Sequence, residues 1–352
     1  MRGLMSPVRV GVVGYGFAGR DFHCYLVKLA EGLRLAAVAT RDPERRARAE
    51  SEQGVATFES LDQMLDSDAV DLVVLATPHD THRDLAVRTL QAGRHVVVDK
   101  VMALTARECD DMILAARQED LMLSVFHNRR WDGDFLTVKH ALDSGLLGDP
   151  LMVEIGIYGH GTPGGWRGRR AQMGGILYDW GAHLVDQALQ LFPEPIAHVY
   201  GVSQFRNPGT DIESFARCEL LFQSGAICAV EVSNRARLGK HHWHVYGSKG
   251  TLTKDGVDPQ EAVMRQRRIQ DSREDPAQRA HVLTEVQGQM MDMVIDTISG
   301  SWTSYYQNIA DVLTKGAPLA VQPEGVRKAV SVLEAQRLSA ETGRAIPGDK
   351  LP

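Results

Sequence analysis

Val8-Arg9-Val10-Gly11-Val12-Val13-Gly14-Tyr15-Gly16-Phe17-Ala18-Gly19 joins a β-branched run to a G-x-G-x-x-G turn. Residues 8–13 suit a strand buried on both faces, and 17–30 reads as a helix, so the glycines fall between strand and helix. There Gly14 permits the tight turn, Gly16 lets the backbone approach a pyrophosphate, and Gly19 lets helix and strand pack closely. The start of that helix offers N–H groups and a partial positive charge to a diphosphate. The plainer alternative is a tight turn with no ligand. The strand before it and a second strand at the expected distance weigh against that. Gly14, Tyr15, Gly16, Phe17, Ala18 and Gly19 therefore form the candidate cofactor loop.

Outward from the loop, short apolar runs alternate with amphipathic stretches, the pattern of βαβ units and a parallel sheet. Strands are predicted at 33–40, 70–77, 94–99 and 121–126, and helices at 42–53, 82–92 and 108–119. After about residue 127 the pattern changes. Predicted strands at 151–158, 197–205, 214–222, 226–233 and 242–247 follow one another with one intervening helix near 181–192. That order suggests a mostly antiparallel sheet in an α+β domain. The expected organisation is a doubly wound Rossmann domain over 1–126 and an α+β substrate-binding and oligomerisation domain over 127–322. The helix at 323–342 is expected to pack back on the first domain.

The chain has 352 residues, 43% hydrophobic and 24% charged, with a formal net charge of −6. That balance and the lack of a long basic block argue against a nucleic-acid surface. The four cysteines, Cys24, Cys109, Cys218 and Cys228, form no CxxC pair and read as small buried residues in a reducing compartment. The first residues lack the apolar run of a signal peptide, and no stretch is long enough to span a bilayer. A cytoplasmic protein is expected. In Lys240-His241-His242-Trp243-His244, His242 and His244 share a face on a strand, but no acidic or cysteine partner is near in sequence, so no metal is expected.

Nucleotide preference is set at the end of the second strand, ~20 residues past the glycines, where an acid would bind the ribose diol of NAD. Thr40-Arg41 stands there, with Arg45 and Arg46 a turn later. A hydroxyl and a guanidinium suit a 2′-phosphate, so NADP(H) is the expected cofactor and NAD(H) the alternative. Asp42 is the competing candidate for a ribose contact, and a solvated arginine-rich helix start is the plainer reading.

Three further segments complete a pattern: Thr77-Pro78-His79-Asp80-Thr81-His82, Gly93-Arg94-His95-Val96-Val97-Val98-Asp99-Lys100, and Gly174-Gly175-Ile176-Leu177-Tyr178-Asp179-Trp180-Gly181-Ala182-His183. In order and spacing the chain resembles the Gfo/Idh/MocA oxidoreductases, named for glucose–fructose oxidoreductase, inositol dehydrogenase and a rhizopine-catabolism protein. The resemblance extends through Asn128-Arg129-Arg130-Trp131 and Trp166-Arg167 to the closing helix. The family's glutamate–lysine–proline motif falls on Asp99-Lys100-Val101, with the acid shortened and the proline lost. Its DxGxH motif falls intact on Asp179, Gly181 and His183. The resemblance implies that Lys100, Asp179 and His183 surround the reacting carbon and the nicotinamide. It also implies that Thr77, Pro78, His82, Asp99, Lys100, Asn128, Trp166 and Arg167 join the glycine loop, Thr40 and Arg41 in holding the cofactor. A homodimer or homotetramer built through the second domain's sheet is expected as well.

These residue types suit oxidation of a secondary alcohol. His183, with an ordinary pKa of ~6.5, can take the hydroxyl proton near neutrality. Asp179, four residues earlier, would share a helical face with it and orient the imidazole or hold a second hydroxyl. Lys100 can stabilise the developing alkoxide. Each has a plainer reading: His183 as a core histidine, Lys100 as a surface lysine, Asp179 as a helix N-cap. Asp186 and Gln187 either line the pocket or serve packing. The expected activity is hydride transfer between nicotinamide and a sugar, inositol or related polyol. A redox-assisted glycosidase that retains its NAD and a cofactor-binding regulator without turnover are the alternatives.

Overall fold

The computed structural model describes residues 6–352. The described residues up to Asn128, with Ala262–Ile269 and Ser301–Arg327, make one compact unit, and the remainder makes a second. No helix among the described residues is long and apolar enough to cross a membrane.

Six strands form the first unit's sheet: β1 (Val8–Val13), β2 (Leu33–Ala39), β3 (Ala56–Phe58), β4 (Leu72–Leu75), β5 (His95–Val98) and β6 (Leu123–Val125). They run parallel in the order 3-2-1-4-5-6, the arrangement of dinucleotide-binding sheets. The β-branched runs do what their composition leads one to expect. Val10, Val12, Leu72–Leu75 and Val96–Val98 are wholly buried, each contributing about 1.5–3 kcal/mol. Helix Pro43–Gln53 starts at Asp42, whose side chain accepts the Glu44 and Arg45 N–H groups, and ends at Gly54 in the left-handed region. Helix Ala106–Gln118 opens on a Thr105/Glu108 capping box. Helix Thr303–Lys315 buries Tyr305, Tyr306, Ile309 and Ala310 in this unit.

The second unit holds a nine-stranded sheet. Its strands are β7 (Pro150–Tyr158), β8 (Ile196–Gln204), β9 (Phe215–Phe222), β10 (Ile227–Ser233), β11 (Trp243–Gly247), β12 (Gly250–Lys254), β13 (Ala280–Val286), β14 (Gln289–Ile295) and β15 (Ile346–Pro347). The order is 14-13-12-11-7-10-9-8-15; the β10–β7 pair is parallel and every other pair antiparallel. From β11 to β8 the inner face is apolar, with Val153, Ile155, Val199, Cys218, Leu220, Val230, Trp243 and Val245 buried. Gln336 and Ser339 of helix Pro323–Thr342 bond to β8 at Val202 and Gly201. The same helix's first turn meets the first unit's helix Ala106–Gln118 through Glu324 and Arg117.

The architecture is the expected one, a Rossmann sheet and a mostly antiparallel α+β sheet, with local differences. The helix read at 17–30 is a π-helical segment, Ala18–His23, followed by a short helix, Cys24–Val27. The Cys24 N–H reaches back five residues to the Gly19 carbonyl, which widens the turn. The helix read at 181–192 likewise begins with a π turn, Leu177–Gly181, before Ala182–Leu191. Helix Gly133–Asp143 also belongs to the second unit, ahead of β7.

Candidate active site

The glycine loop has the shape its sequence demands. A Cβ on Gly14 (φ +96°) would lie 2.2 Å from the Ala76 carbonyl oxygen, and one on Gly19 would lie 1.9 Å from that of Gly14. Gly16 differs, because a Cβ there would find its nearest atom, an Arg45 guanidinium nitrogen, at 3.8 Å. Packing thus excludes side chains at two glycines, while the third faces open space, as close approach by a diphosphate requires. The residues present fit a dinucleotide.

Tyr15 turns inward. Its hydroxyl donates to Glu52 (2.8 Å) and accepts from Gln53 (2.6 Å), so only its backbone faces the loop. Glu52 also takes two Arg20 N–H bonds at 2.7 and 2.8 Å. The Arg20 bonds, set against partial burial and helped by Tyr15, hold the Glu52 carboxyl down at about 2. Phe17 is exposed and carries the Arg265 guanidinium over its ring at 4.6 Å. Arg267 binds the Asp21 carboxylate at 2.9 Å. Residues 262–269 therefore fold beside the glycine loop.

At the end of β2, Arg41 is exposed and Thr40 half-buried. Arg46 is engaged with the Thr40 and Arg41 carbonyls at 2.8 and 2.9 Å. Asp42 is engaged too, its Oδ1 capping the helix and its Oδ2 pairing with Arg45 at 3.2 Å.

Beyond β4 and β5, Thr77 bonds Thr81 (2.7 Å), whose hydroxyl donates to the Pro78 carbonyl. His82 is fully buried and bridges two loops, with Nδ1 2.8 Å from the Val101 carbonyl and Nε2 3.0 Å from that of Thr77. Burial lowers its pKa against the pull of those carbonyls. The ring ties the Thr77–Pro78 loop to the Lys100 loop. Asp99 Oδ1 accepts the Lys100 N–H at 2.8 Å, and the Lys100–Val101 peptide bond is cis. Asn128, buried, begins the turn Asn128–Trp131.

In the second unit, Asp179 lies in the π turn and His183, 5% exposed, in the helix that follows. Gly181, not Asp179, occupies the helix N-cap, so the capping role is set aside. Arg167 approaches Asp179 at 3.7 Å and stacks on Trp166 at 4.5 Å. Glu213, buried and unsuspected from sequence, accepts the Ile176 N–H at 3.0 Å and anchors the segment after the double glycine. Asp186 and Gln187 serve packing. Asp186 takes two bonds from Arg130 at 2.7 Å, and Gln187 donates to the Arg129 carbonyl at 2.8 Å. Arg129 itself lies over Trp180 at 4.2 Å and pairs with Asp132 at 2.9 Å. The histidines at 241–244 have distant partners: His241 meets Asp255 at 2.9 Å, and His242 meets Asp134 at 3.1 Å. No group of three or more His, Cys, Asp or Glu among the described residues is arranged to hold a metal ion.

Residues 8–127 match the oxidoreductase family with an NAD-binding Rossmann fold, Gfo/Idh/MocA, and residues 135–253 match the C-terminal domain of that family. The chain is 32% identical over 346 residues to the uncharacterized oxidoreductase YdgJ of Escherichia coli (strain K12), covering 97% of this chain and 98% of that one. It is 30% identical over 357 residues to the scyllo-inositol 2-dehydrogenase (NADP(+)) IolW of Bacillus subtilis (strain 168), covering 97% and 96%. Among solved structures, the oxidoreductase yvaA from Bacillus subtilis superposes with a TM-score of 0.91 at 26% identity, over 97% of this chain and 99% of that one. With an open glycine cradle at the C-terminal edge of a 3-2-1-4-5-6 sheet and relatives matched along almost its whole length, the chain belongs to the Gfo/Idh/MocA family of NAD(P)-binding oxidoreductases.

Proposed function

We propose that the protein interconverts a secondary alcohol and a ketone of a sugar, inositol or related polyol, with NADP(H) as the redox partner. The observation that carries this reading is the engagement of Asp42 as a helix cap and Arg45 partner, beside which Arg41 stands exposed next to Thr40 at the end of β2. Identity to a relative named as an NADP(+)-dependent inositol dehydrogenase supports it. Gly14, Gly16 and Gly19 shape the diphosphate cradle together with the backbone of Tyr15, Phe17 and Ala18, and Thr40 and Arg41 take the adenosine ribose end. Thr77, Pro78, His82, Asp99 and Asn128 frame the nicotinamide side, and Trp166 and Arg167 add further cofactor contacts. When bound, the nicotinamide supplies the hydride acceptor. His183 removes the hydroxyl proton, Asp179 orients the imidazole or holds a neighbouring hydroxyl, and Lys100 steadies the negative charge on the oxygen.

The outer face of the nine-stranded sheet suits a homodimer or homotetramer. Leu221, Ile227, Met152 and Tyr246 fall in one apolar row across it, which Thr251 interrupts before Leu283. Sedimentation at micromolar concentration should give a multiple of the chain mass, and a monomer would remove this part.

The deciding experiment is a screen of inositols and sugars with NADP and NAD, followed by reduced-nicotinamide absorbance. Stoichiometric reduction by a polyol supports the reading. Cleavage of a glycoside with no net cofactor change, or nucleotide binding with no reaction, would overturn it.

A further inference from the structure

A buried chain of polar groups runs from the end of the glycine-loop helix to the lysine loop, and the reaction above gives two of its members, His23 and Tyr306, no role. His23 closes the π-helical segment Ala18–His23 and is wholly buried. Its Nδ1 is 2.7 Å from the Tyr306 hydroxyl, and its Nε2 is 3.6 Å from Asp99 Oδ2. The other Asp99 oxygen accepts the Lys100 N–H at 2.8 Å. Phe126 packs edge-on against His23 at 4.6 Å and against Tyr305 at 4.9 Å, walling the chain with carbon. All these residues belong to the first unit.

The protonation states follow from the surroundings. Burial raises the Tyr306 phenol well above its usual range, so it keeps its proton. Burial alone would raise the Asp99 carboxyl as well, but His23, then Lys100 and His82, hold it at about 2. Cys24, beside His23 in the chain, is pushed up to about 12 by burial and stays neutral. Asp99 is therefore a carboxylate throughout the neutral range. The Tyr306 hydroxyl, donating to His23 Nδ1, puts the ring's N–H on Nε2, which faces the Asp99 carboxylate at 3.6 Å.

We propose that His23 is a positioning residue for Lys100: backed by Tyr306, it fixes the Asp99 carboxylate that grips the lysine's own backbone N–H. This rests on the reading of Lys100 as the group that steadies the alkoxide. The π-helical turn sets His23 in this role, because its widened backbone carries the diphosphate loop at one end and the imidazole at the other.

The test compares His23→Phe, His23→Gln and Tyr306→Phe in the full-length protein. Glutamine can place an N–H donor near Nε2 of the imidazole, while phenylalanine fills the space without one. His23→Phe should lower kcat for polyol oxidation about 10–100-fold, the range seen when an orienting partner is removed. NADPH affinity, read by fluorescence titration, should stay nearly constant, and His23→Gln should recover most of the rate. In the nucleotide-free protein, hydrogen exchange over residues 97–103 should quicken in the phenylalanine variant and not in the glutamine variant. Wild-type kcat and wild-type exchange in His23→Phe would overturn the proposal, as would a failure of glutamine to rescue either one. If His23→Phe does not fold, Tyr306→Phe should quicken exchange over 97–103, and an unchanged rate there overturns it. If the wild-type protein oxidises no polyol, the functional reading falls, and exchange over 97–103 still decides the role of His23.

Discussion

The Asp42 carboxylate accepts the backbone N–H of Arg45 through one oxygen and pairs with the Arg45 guanidinium through the other, both at 3.2 Å. An acid so occupied is a poor partner for a ribose diol, and Arg46 is spent on the Thr40 and Arg41 carbonyls. The Arg41 side chain, exposed at the end of β2, is in neither of these contacts. A charge-assisted contact to a phosphate is worth about 1.5–3 kcal/mol, or roughly tenfold and more in affinity. Arg41→Ala should therefore weaken NADP(H) binding by at least that much and leave NAD(H) nearly unchanged, measured by fluorescence titration of both nucleotides. A wild-type preference for NAD(H), or equal weakening of both, would remove the 2′-phosphate role.

The three glycines of the loop should separate under substitution. Gly19→Ala sets a methyl group 1.9 Å from the Gly14 carbonyl oxygen, so strand and helix must part. A loss of about 1–3 kcal/mol is expected in urea unfolding, whether or not nucleotide is present. Gly16→Ala meets nothing closer than 3.8 Å. It should fold with near-wild-type stability and lose nucleotide affinity instead. If Gly16→Ala binds nucleotide as well as wild type, the diphosphate does not pass over Gly16.

Arg130 and Asp186 form a two-bond ion pair with side-chain exposures of 12% and 2%. Removing the arginine leaves a buried carboxylate without its guanidinium, at a cost of about 3–5 kcal/mol. Arg130→Ala should therefore unfold at clearly lower urea concentration. The double change Arg130→Met with Asp186→Leu should recover much of the loss. A stability unchanged in Arg130→Ala would mean that the pair does not hold the helix Ala182–Leu191 to the turn Asn128–Trp131.

What the sequence disclosed was local. Continuous apolar runs, Leu72-Val73-Val74-Leu75 in β4 and Val96-Val97-Val98 in β5, announce buried parallel strands, and the glycine spacing announces the turn after β1. Short or weakly patterned elements did not announce themselves. β3 has three residues, and β14 carries exposed Met290, Met291 and Val294, so neither shows burial as a period. Helix Thr303–Lys315 belongs with strands far earlier in the chain, a partnership no window of sequence contains. The same limit applied to the candidate site. Lys100, Asp179 and His183 stood out through motifs, whereas His23 and Glu213 gain meaning only from partners far along the chain, Asp99 and Ile176. The helical spacing of Asp186 from His183 left pocket and packing both open, and only the fold reveals Arg130 against it.

The proposed acid–base assignments give the last prediction. His183 lies within a helix whose residues from Ala182 to Leu189 are all buried, surroundings in which a core histidine would be unremarkable. A core histidine and a general base answer differently to substitution. If His183 takes the proton, His183→Ala should lower kcat by about two to four orders of magnitude, the usual contribution of a positioned acid–base group, and leave NADP(H) affinity in place. Lys100→Ala should depress kcat more than cofactor binding, because charge on the oxygen develops only as the proton and hydride leave. Loss of nucleotide affinity alone in Lys100→Ala would make the lysine a cofactor-holding residue. Near-wild-type turnover in a folded His183→Ala variant would return His183 to the core, and Asp179 would then have no imidazole to orient.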